Sequence, residues 1–137
     1  MLNLKVVIDT NIFVSGAMKT TGIPRIVIDT VMETDGITII YSDEIFEEYL
    51  DVLNRKKLKL PIMTVNSFIG LILKNGEKIS PFPQFAYFND ESDKKFYEAF
   101  KTADADYLIT GNSKHFPDED GIVSPRQFAE LHGVQIQ

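Results

Sequence analysis

The chain has 137 residues, of which 44% are hydrophobic and 25% are charged, and its formal net charge is −6. This composition fits one compact domain over residues 1–137, and the sequence contains no cysteine, which excludes disulfide bonds and zinc–thiolate sites. The acidic balance argues against a basic module that only coats nucleic acid, but not against carboxylates that hold cations. The first residues resemble neither a signal peptide nor a membrane span, so we expect a soluble cytoplasmic protein.

Apolar periodicity predicts strands and helices that alternate along the chain. The predicted strands are residues 4–10, 37–42 and 105–111, a short strand from residue 121 and a last edge strand at residues 134–137. The predicted helices are residues 23–34, 42–56, 63–76 and 92–103 and a helix that starts at Pro125. A loop is expected at residues 80–92. This alternation predicts an α/β fold with a mainly parallel sheet covered on both faces.

Several residues of suitable type stand where the predicted helices begin and end. Pro24 suits the first turn of its helix, and Gly36 stops that helix. Ser42 or Asp43 is expected to cap the helix that carries acidic residues in its first turn and basic residues at its end. The two helices nearer the C-terminus are expected to be capped by serines, Ser92 and Ser124.

Polar residues follow the predicted strands at one end of the sheet. Asp9 comes directly after the first buried strand, where an unpaired charge is costly. Ser42 ends the second strand and leads into the helix of Glu48, while the segment Thr110–Asn112 ends the third. Because ligands of such folds bind outside the carboxyl ends of the strands, we expect these residues and Asp93 to converge there.

Carboxylates brought together repel one another, and a hard divalent cation removes that penalty. Since the sequence contains neither cysteine nor a paired histidine motif, oxygen ligands for Mg²⁺ or Mn²⁺ are the available chemistry. One or two such ions in a site can polarise a phosphoryl group and activate water. The pattern therefore favours phosphodiester hydrolysis.

Structural roles compete with this interpretation. Asp93 serves equally well as a helix cap, and Asp43, Glu44 and Asp90 also lie near helix starts. Of the adjacent pair in the second helix, Glu48 is expected to face inward and Glu47 to face solvent. The acidic residue that begins the third strand, Asp106, is expected to lie away from the site.

Three stretches, in this order and at these spacings, resemble PIN domains, the family that includes the toxin nucleases of VapC-type toxin–antitoxin pairs. They are VVIDTNIFVSG at residues 6–16, YSDEIFEEYLDVL at residues 41–53 and NDESDKKFYEAFKTADADYLITGNSKHFP at residues 89–117. The resemblance covers nearly the whole chain and is nearest to bacterial PIN-type toxin components. It implies a three-layer α/β/α fold with a central sheet between helices.

The resemblance also implies roles for individual residues. The metal-binding carboxylates of the family match Asp9, Glu48 and Asp93. The fourth acidic position of the family is Asn112 here, so the chain departs from the four-carboxylate pattern and the second metal ion is in question. The resemblance also gives Asn11 and Thr110 supporting roles in the site. Lys114 has no such match, and its position near the same edge makes it a candidate for contact with a phosphate backbone.

Basic and aromatic residues offer further contacts with nucleic acid. NRKKLK at residues 54–59 is either a phosphate-binding patch or the solvated end of a helix. His115 lies near the expected site, where a surface or packing role is favoured over a phosphate contact, and His132 is expected at a helix C-terminus. Burial or protein contacts are favoured over base stacking for the aromatic residues Phe82, Phe85, Tyr87 and Phe88.

Together these features predict a Mg²⁺- or Mn²⁺-dependent endoribonuclease that acts as the toxin of a toxin–antitoxin pair. The expected partners are an RNA substrate, a cognate antitoxin and a second copy of the chain, because the family commonly dimerises. The alternative is a non-catalytic PIN-like module with a degraded metal site that binds protein or RNA. A phosphoaspartate receiver is disfavoured, since the sequence lacks paired acids after the first strand.

Overall fold

The computed structural model describes residues 3–83, 88 and 90–132. Five strands form one sheet in the order β3-β2-β1-β4-β5, and every neighbouring pair is parallel. The strands are β1 Leu4–Ile8, β2 Ile37–Tyr41, β3 Gly76–Lys78, β4 Tyr107–Ile109 and β5 Ile122–Val123. The α-helices are α1 Thr10–Met18, α2 Ile23–Glu33, α3 Asp43–Leu53, α4 Ile62–Asn75, α5 Lys94–Thr102 and α6 Pro125–Leu131. The predicted α/β/α fold with a parallel sheet between helices is confirmed.

Buried aliphatic side chains explain why the central strands form. Val6, Val7 and Ile8 of β1 are each 0% exposed, as are Ile39 and Ile40 of β2. When both faces of a strand are buried, its consecutive residues are hydrophobic, as is usual in a parallel sheet covered by helices. The core therefore lies around β1, at the centre of the sheet.

Local signals account for the starts of three of the six α-helices in the described residues, α2, α3 and α6. The Ser42 hydroxyl accepts a hydrogen bond from the backbone N–H of Ile45, and Ser124 with Gln127 forms a capping box at α6. Pro24 lies in the first turn of α2, as predicted. The prediction for Ser92 is wrong, because the carboxylate of Asp90 accepts from the Ser92 backbone and caps a 3₁₀ turn at Glu91–Asp93 before α5 begins.

Two elements were not predicted from the sequence. Helix α1 follows β1 after a single residue, and the three-residue strand β3 adds an edge beside β2. The end of α3 was also predicted too late: the helix ends at Leu53, and a separate 3₁₀ turn spans Lys56–Leu58. The predicted edge strand at residues 134–137 lies outside the described residues.

The order of the strands creates a topological switch beside β1. Strands β2 and β3 lie on one side of β1, and β4 and β5 lie on the other. The carboxyl ends of β1 and β4 therefore flank a crevice of the kind in which α/β proteins bind ligands.

Among the described residues, no helix is long and apolar enough to cross a bilayer.

Candidate metal and nuclease site

Asp9 and Thr110 lie side by side at the carboxyl ends of β1 and β4. Asp9 is 5% exposed and Thr110 is fully buried. The hydroxyl of Thr110 donates a 2.8 Å hydrogen bond to Oδ2 of Asp9, and the same hydroxyl accepts from the backbone N–H of Asn112 at 3.0 Å. Thr110 thus links the Asp9 carboxylate to the loop that carries Asn112.

Helix α3 brings Glu48 to this crevice from another direction. Its buried residues Ile45, Tyr49 and Leu53 fix the helix against the core, which turns Glu48 inward and leaves Glu47 exposed, as predicted. Oε2 of Glu48 accepts a hydrogen bond from the Thr10 hydroxyl in the first turn of α1. Helix α1, which was not predicted, therefore supplies a direct partner of the site.

Tyr49 joins α3 to the end of β1. Its side chain is fully buried, and its hydroxyl donates to the backbone carbonyl of Ile8, the residue before Asp9. Burial, and then the negative charges of Asp9 and Glu48, raise the pKa of Tyr49 well above its usual value. Tyr49 consequently stays protonated and keeps its hydrogen bond as a donor.

Asp93 approaches from the start of α5. It makes no side-chain capping hydrogen bond to α5, since Asp90 caps the preceding turn. Oδ2 of Asp93 is buried, lies 3.5 Å from Nδ1 of His115, and has no hydrogen-bond partner among the described residues. A buried carboxylate oxygen without such a partner is costly unless a ligand or cation satisfies it.

These residues line one open cavity of about 380 Å³. The residues of the sequence prediction that line it are Asp9, Asn11, Glu48, Asp93 and Asn112. Thr110 is buried behind Asp9, whereas Lys114 lines a separate hollow of about 460 Å³. The cavity wall also includes Asp90, Arg55 and His115.

Burial and neighbouring negative charges raise the pKa of Asp9 and that of Asp93. The pKa of Asp9 is raised by burial and further by the charges of Asp93 and Glu48. Hydrogen bonds from the Thr110 hydroxyl and the backbone N–H of Asn11 lower it. The pKa of Asp93 is raised by burial and by the charge of Asp90, with His115 and Lys95 acting in the opposite direction. This crowding of negative charge favours the binding of a cation.

Lys95 is a neighbour of the site that sequence reasoning missed. Its ammonium lies 2.7 Å from Oε1 of Glu48, and its side chain is only 12% exposed. Lys95 stands two positions after Asp93, but the sequence gives no sign that it reaches across to α3. The pair is 47 positions apart in the chain, and only the packing of α5 beside α3 brings it together.

Other candidate residues lie away from the cavity. The Asp106 carboxylate accepts from the backbone N–H of Lys5 at the opposite end of the sheet, as expected. His132 ends α6 as predicted, with its ring 4.5 Å from that of Phe128. Phe88 is buried between aromatic rings and Phe82 is 67% exposed, whereas the stacking candidates Phe85 and Tyr87 lie outside the described residues.

The family model for the PIN domain matches residues 5–114, which is most of the chain. The chain belongs to the PIN-domain family. PIN domains are generally nucleases and typically use divalent metal ions. A comparison with curated proteins gives no match for this chain.

The cavity of this PIN domain offers the oxygen ligands that a hard divalent cation prefers. Asp9, Glu48 and Asp93 offer carboxylate oxygens, Asn112 offers an amide oxygen, and Oδ2 of Asp93 lacks a hydrogen-bond partner among the described residues. Among residues 3–83, 88 and 90–132, however, no three acidic or histidine side chains converge closely enough to hold an ion as they stand. Metal binding therefore requires side chains of this cavity to move.

Proposed function

We propose that this PIN domain is a Mg²⁺- or Mn²⁺-dependent endoribonuclease. The observation that carries the proposal is the cavity at the carboxyl ends of β1 and β4, whose wall includes Asp9, Glu48 and Asp93. Asp9, Glu48 and Asp93 would hold the divalent ion, with Asn112 as a weaker contributor. A bound divalent ion supplies polarisation of the phosphoryl group and a water of lowered pKa.

The protein's own residues prepare the site for this chemistry. Thr110 holds the Asp9 carboxylate in place through a buried hydrogen bond. Asn11 and Asn112 expose amide groups on the cavity wall, where they can orient a phosphate or a water molecule. The expected products of in-line hydrolysis carry a 3′-hydroxyl and a 5′-phosphate.

A basic segment at the rim supports RNA as the substrate. Arg55 lines the cavity and pairs with Asp51 at 3.0 Å, and the exposed residues Lys56 and Lys57 follow it. In a chain of net charge −6, this segment offers phosphate groups a local attraction beside the carboxylates. Lys114 is a further candidate for a phosphate contact, and it lines a separate hollow together with Asp118 and Glu119.

We further propose a biological setting for the nuclease: the toxin of a toxin–antitoxin pair in the cytoplasm. The order and spacing of the three motifs support this setting. A homodimer would combine two basic segments into a longer surface for RNA, and a cognate antitoxin would restrain the enzyme. A small open reading frame beside the gene, whose product binds this chain and inhibits cleavage, is the expected genetic evidence.

Cleavage of a labelled RNA in the presence of Mg²⁺ or Mn²⁺ tests the proposed activity. Asp9→Asn and Asp93→Asn are expected to abolish cleavage, because each removes a charge from the cavity while keeping the shape of the side chain. Asp106→Asn is the matched control, since this acid lies at the opposite end of the sheet. Unchanged cleavage by both cavity variants would refute the assignment.

One observation favours a second candidate, a non-catalytic module that binds protein or RNA. Both carboxylate oxygens of Glu48 already have protein partners, Lys95 and Thr10. Titration with Mn²⁺ in a calorimeter separates the two functions. Heat of binding to the wild-type chain that disappears in Asp93→Asn supports the nuclease, and no binding at millimolar Mn²⁺ supports the module.

A further inference from the structure

Lys95 is held firmly against Glu48, one of the residues that line the acidic cavity. Besides the 2.7 Å contact with Glu48, its ammonium donates a 2.5 Å hydrogen bond to the backbone carbonyl of Ser92. Its nitrogen also lies 5.3 Å from the centre of the Phe96 ring. An ammonium with three defined neighbours and 12% exposure is a fixed positive charge, unlike the exposed pair formed by Arg55 and Asp51.

Two of the three carboxylates, Glu48 and Asp93, differ in whether the protein already satisfies their oxygens. Glu48 has both oxygens engaged, Oε1 by Lys95 and Oε2 by Thr10. Asp93, in contrast, has a buried oxygen without a hydrogen bond from the described residues. The protein therefore already neutralises Glu48, whereas among the described residues Oδ2 of Asp93 has only the His115 ring 3.5 Å away, without a hydrogen bond. Coulomb attraction would place a cation between Asp93 and Asp9.

A count of charges gives the same division. The three carboxylates proposed to hold the ion carry three negative charges, and the ammonium of Lys95 cancels one of them. Asp90 and Arg55, which also line the cavity, carry opposite charges that offset each other. The remaining two negative charges match one divalent cation. The position where the PIN pattern has a fourth carboxylate is the neutral Asn112, so the chain lacks the additional charge that would help to balance a second ion.

We infer that the Lys95 ammonium takes the place of a second metal ion, so that the cavity binds a single Mg²⁺ or Mn²⁺ on the side of Asp9 and Asp93. This inference rests on the proposed metal dependence of the nuclease. Lys95 acts as a positioning residue: it holds Glu48 and sets how much negative charge a metal ion meets. A unit positive charge a few ångströms from a divalent ion weakens the binding of that ion by roughly tenfold or more.

Mn²⁺ binding to the full chain at pH 7 tests the inference, by calorimetry and by the electron paramagnetic resonance signal of free Mn²⁺. We expect one ion per wild-type chain. Lys95→Met keeps the apolar stem beside Phe96 but removes the charge, and it is expected to bind Mn²⁺ roughly tenfold or more tightly. Lys95→Arg keeps the charge and should retain the stoichiometry and affinity of the wild type.

Lys94→Met is the matched control, because it removes the same charge from the preceding residue, which makes no ion pair with the described residues. We expect its affinity to change by less than about threefold, since Lys94 is only half-buried and solvent and salt screen its charge. Thermal melting checks that each variant folds. If Lys95→Met does not fold, the Mn²⁺ affinity of Lys95→Gln and the number of ions bound by the wild type test the inference instead.

Three results would overturn the inference: two ions bound by the wild type, no ion bound by it, or Lys95→Met binding no more tightly than Lys94→Met. The first and third of these results are distinguishable from failure of the proposed function, whereas the absence of any bound ion would remove the proposed metal dependence as well. If the wild-type chain cleaves RNA and binds two ions, the proposed nuclease activity is retained and only the role of Lys95 is refuted. RNA cleavage that persists in Asp9→Asn and Asp93→Asn removes the nuclease itself.

Discussion

Tyr49 is the residue through which stability and the candidate site are most directly coupled. Its buried hydroxyl donates to the Ile8 carbonyl, and its ring packs edge-on against Phe13 with 5.1 Å between ring centres. Tyr49→Phe deletes one oxygen and keeps the ring. Its cost is therefore the lost hydrogen bond together with a carbonyl deprived of its partner, about 1–3 kcal/mol.

For a chain of 137 residues, this loss corresponds to a fall in melting temperature of about 3–12 °C. Thermal and urea unfolding followed by circular dichroism measure it, and we expect an unchanged urea m value. RNA cleavage should fall as well, because Asp9 directly follows Ile8. Tyr41→Phe is the control, since Tyr41 is only half-buried at the end of β2. Equal melting temperatures for the two variants would refute the proposed link between α3 and β1.

Three further predictions concern charge, the basic segment and a helix cap. Because the pKa of Asp9 is raised in the folded state, its ionisation opposes folding. Asp9→Asn should therefore stabilise the metal-free protein by on the order of 1 kcal/mol at pH 7, and this gain should shrink as the pH falls to about 4, measured by urea unfolding in EDTA. Replacement of both Arg55 and Lys57 by Glu should weaken RNA binding about equally across sequences and reduce its salt dependence, measured by fluorescence anisotropy. Ser42→Ala removes the acceptor for the Ile45 N–H and should cost about 1 kcal/mol of unfolding free energy.

Each of these predictions has a contradicting result. A loss of stability in Asp9→Asn at pH 7 would show that the carboxylate is well compensated in the metal-free protein. Unchanged RNA binding by the Arg55 and Lys57 double variant would place the substrate elsewhere, and a double variant at the distant residues Lys19 and Lys74 controls for net charge. Ser42→Gly should cost only a few tenths of a kcal/mol; a full loss there would argue against a capping effect.

The sequence was sufficient to predict the sheet without its edge strand β3, and most helices, because their signals are local. Strand β1 ends in the buried apolar run Val6–Ile8, and serine caps mark α3 and α6. Helix α1 lacks a side-chain cap and contains Gly16, so its stability comes from packing. A Cβ atom on Gly16 would lie 2.5 Å from the side chain of Ile28, which shows how closely α1 approaches α2.

The candidate site was predictable only as far as topology determines it. Strand ends place Asp9 and Thr110 together, and the inward face of α3 places Glu48 beside them. The sequence could not show that Lys95 reaches Glu48, since that contact depends on how α5 packs beside α3. Nor could it separate Lys114 from His115, adjacent residues in a 3₁₀ turn that line different hollows.

The most direct test of metal-dependent hydrolysis is end-group analysis of the cleaved RNA. Purified protein is stripped with EDTA, incubated with labelled RNA, and then supplied with Mg²⁺ or Mn²⁺. We expect no cleavage by the stripped protein, recovery when either ion is added, and fragments that carry a 3′-hydroxyl and a 5′-phosphate. Cleavage that persists in EDTA, or fragments that end in a 2′,3′-cyclic phosphate, would contradict the proposed chemistry at Asp9, Glu48 and Asp93.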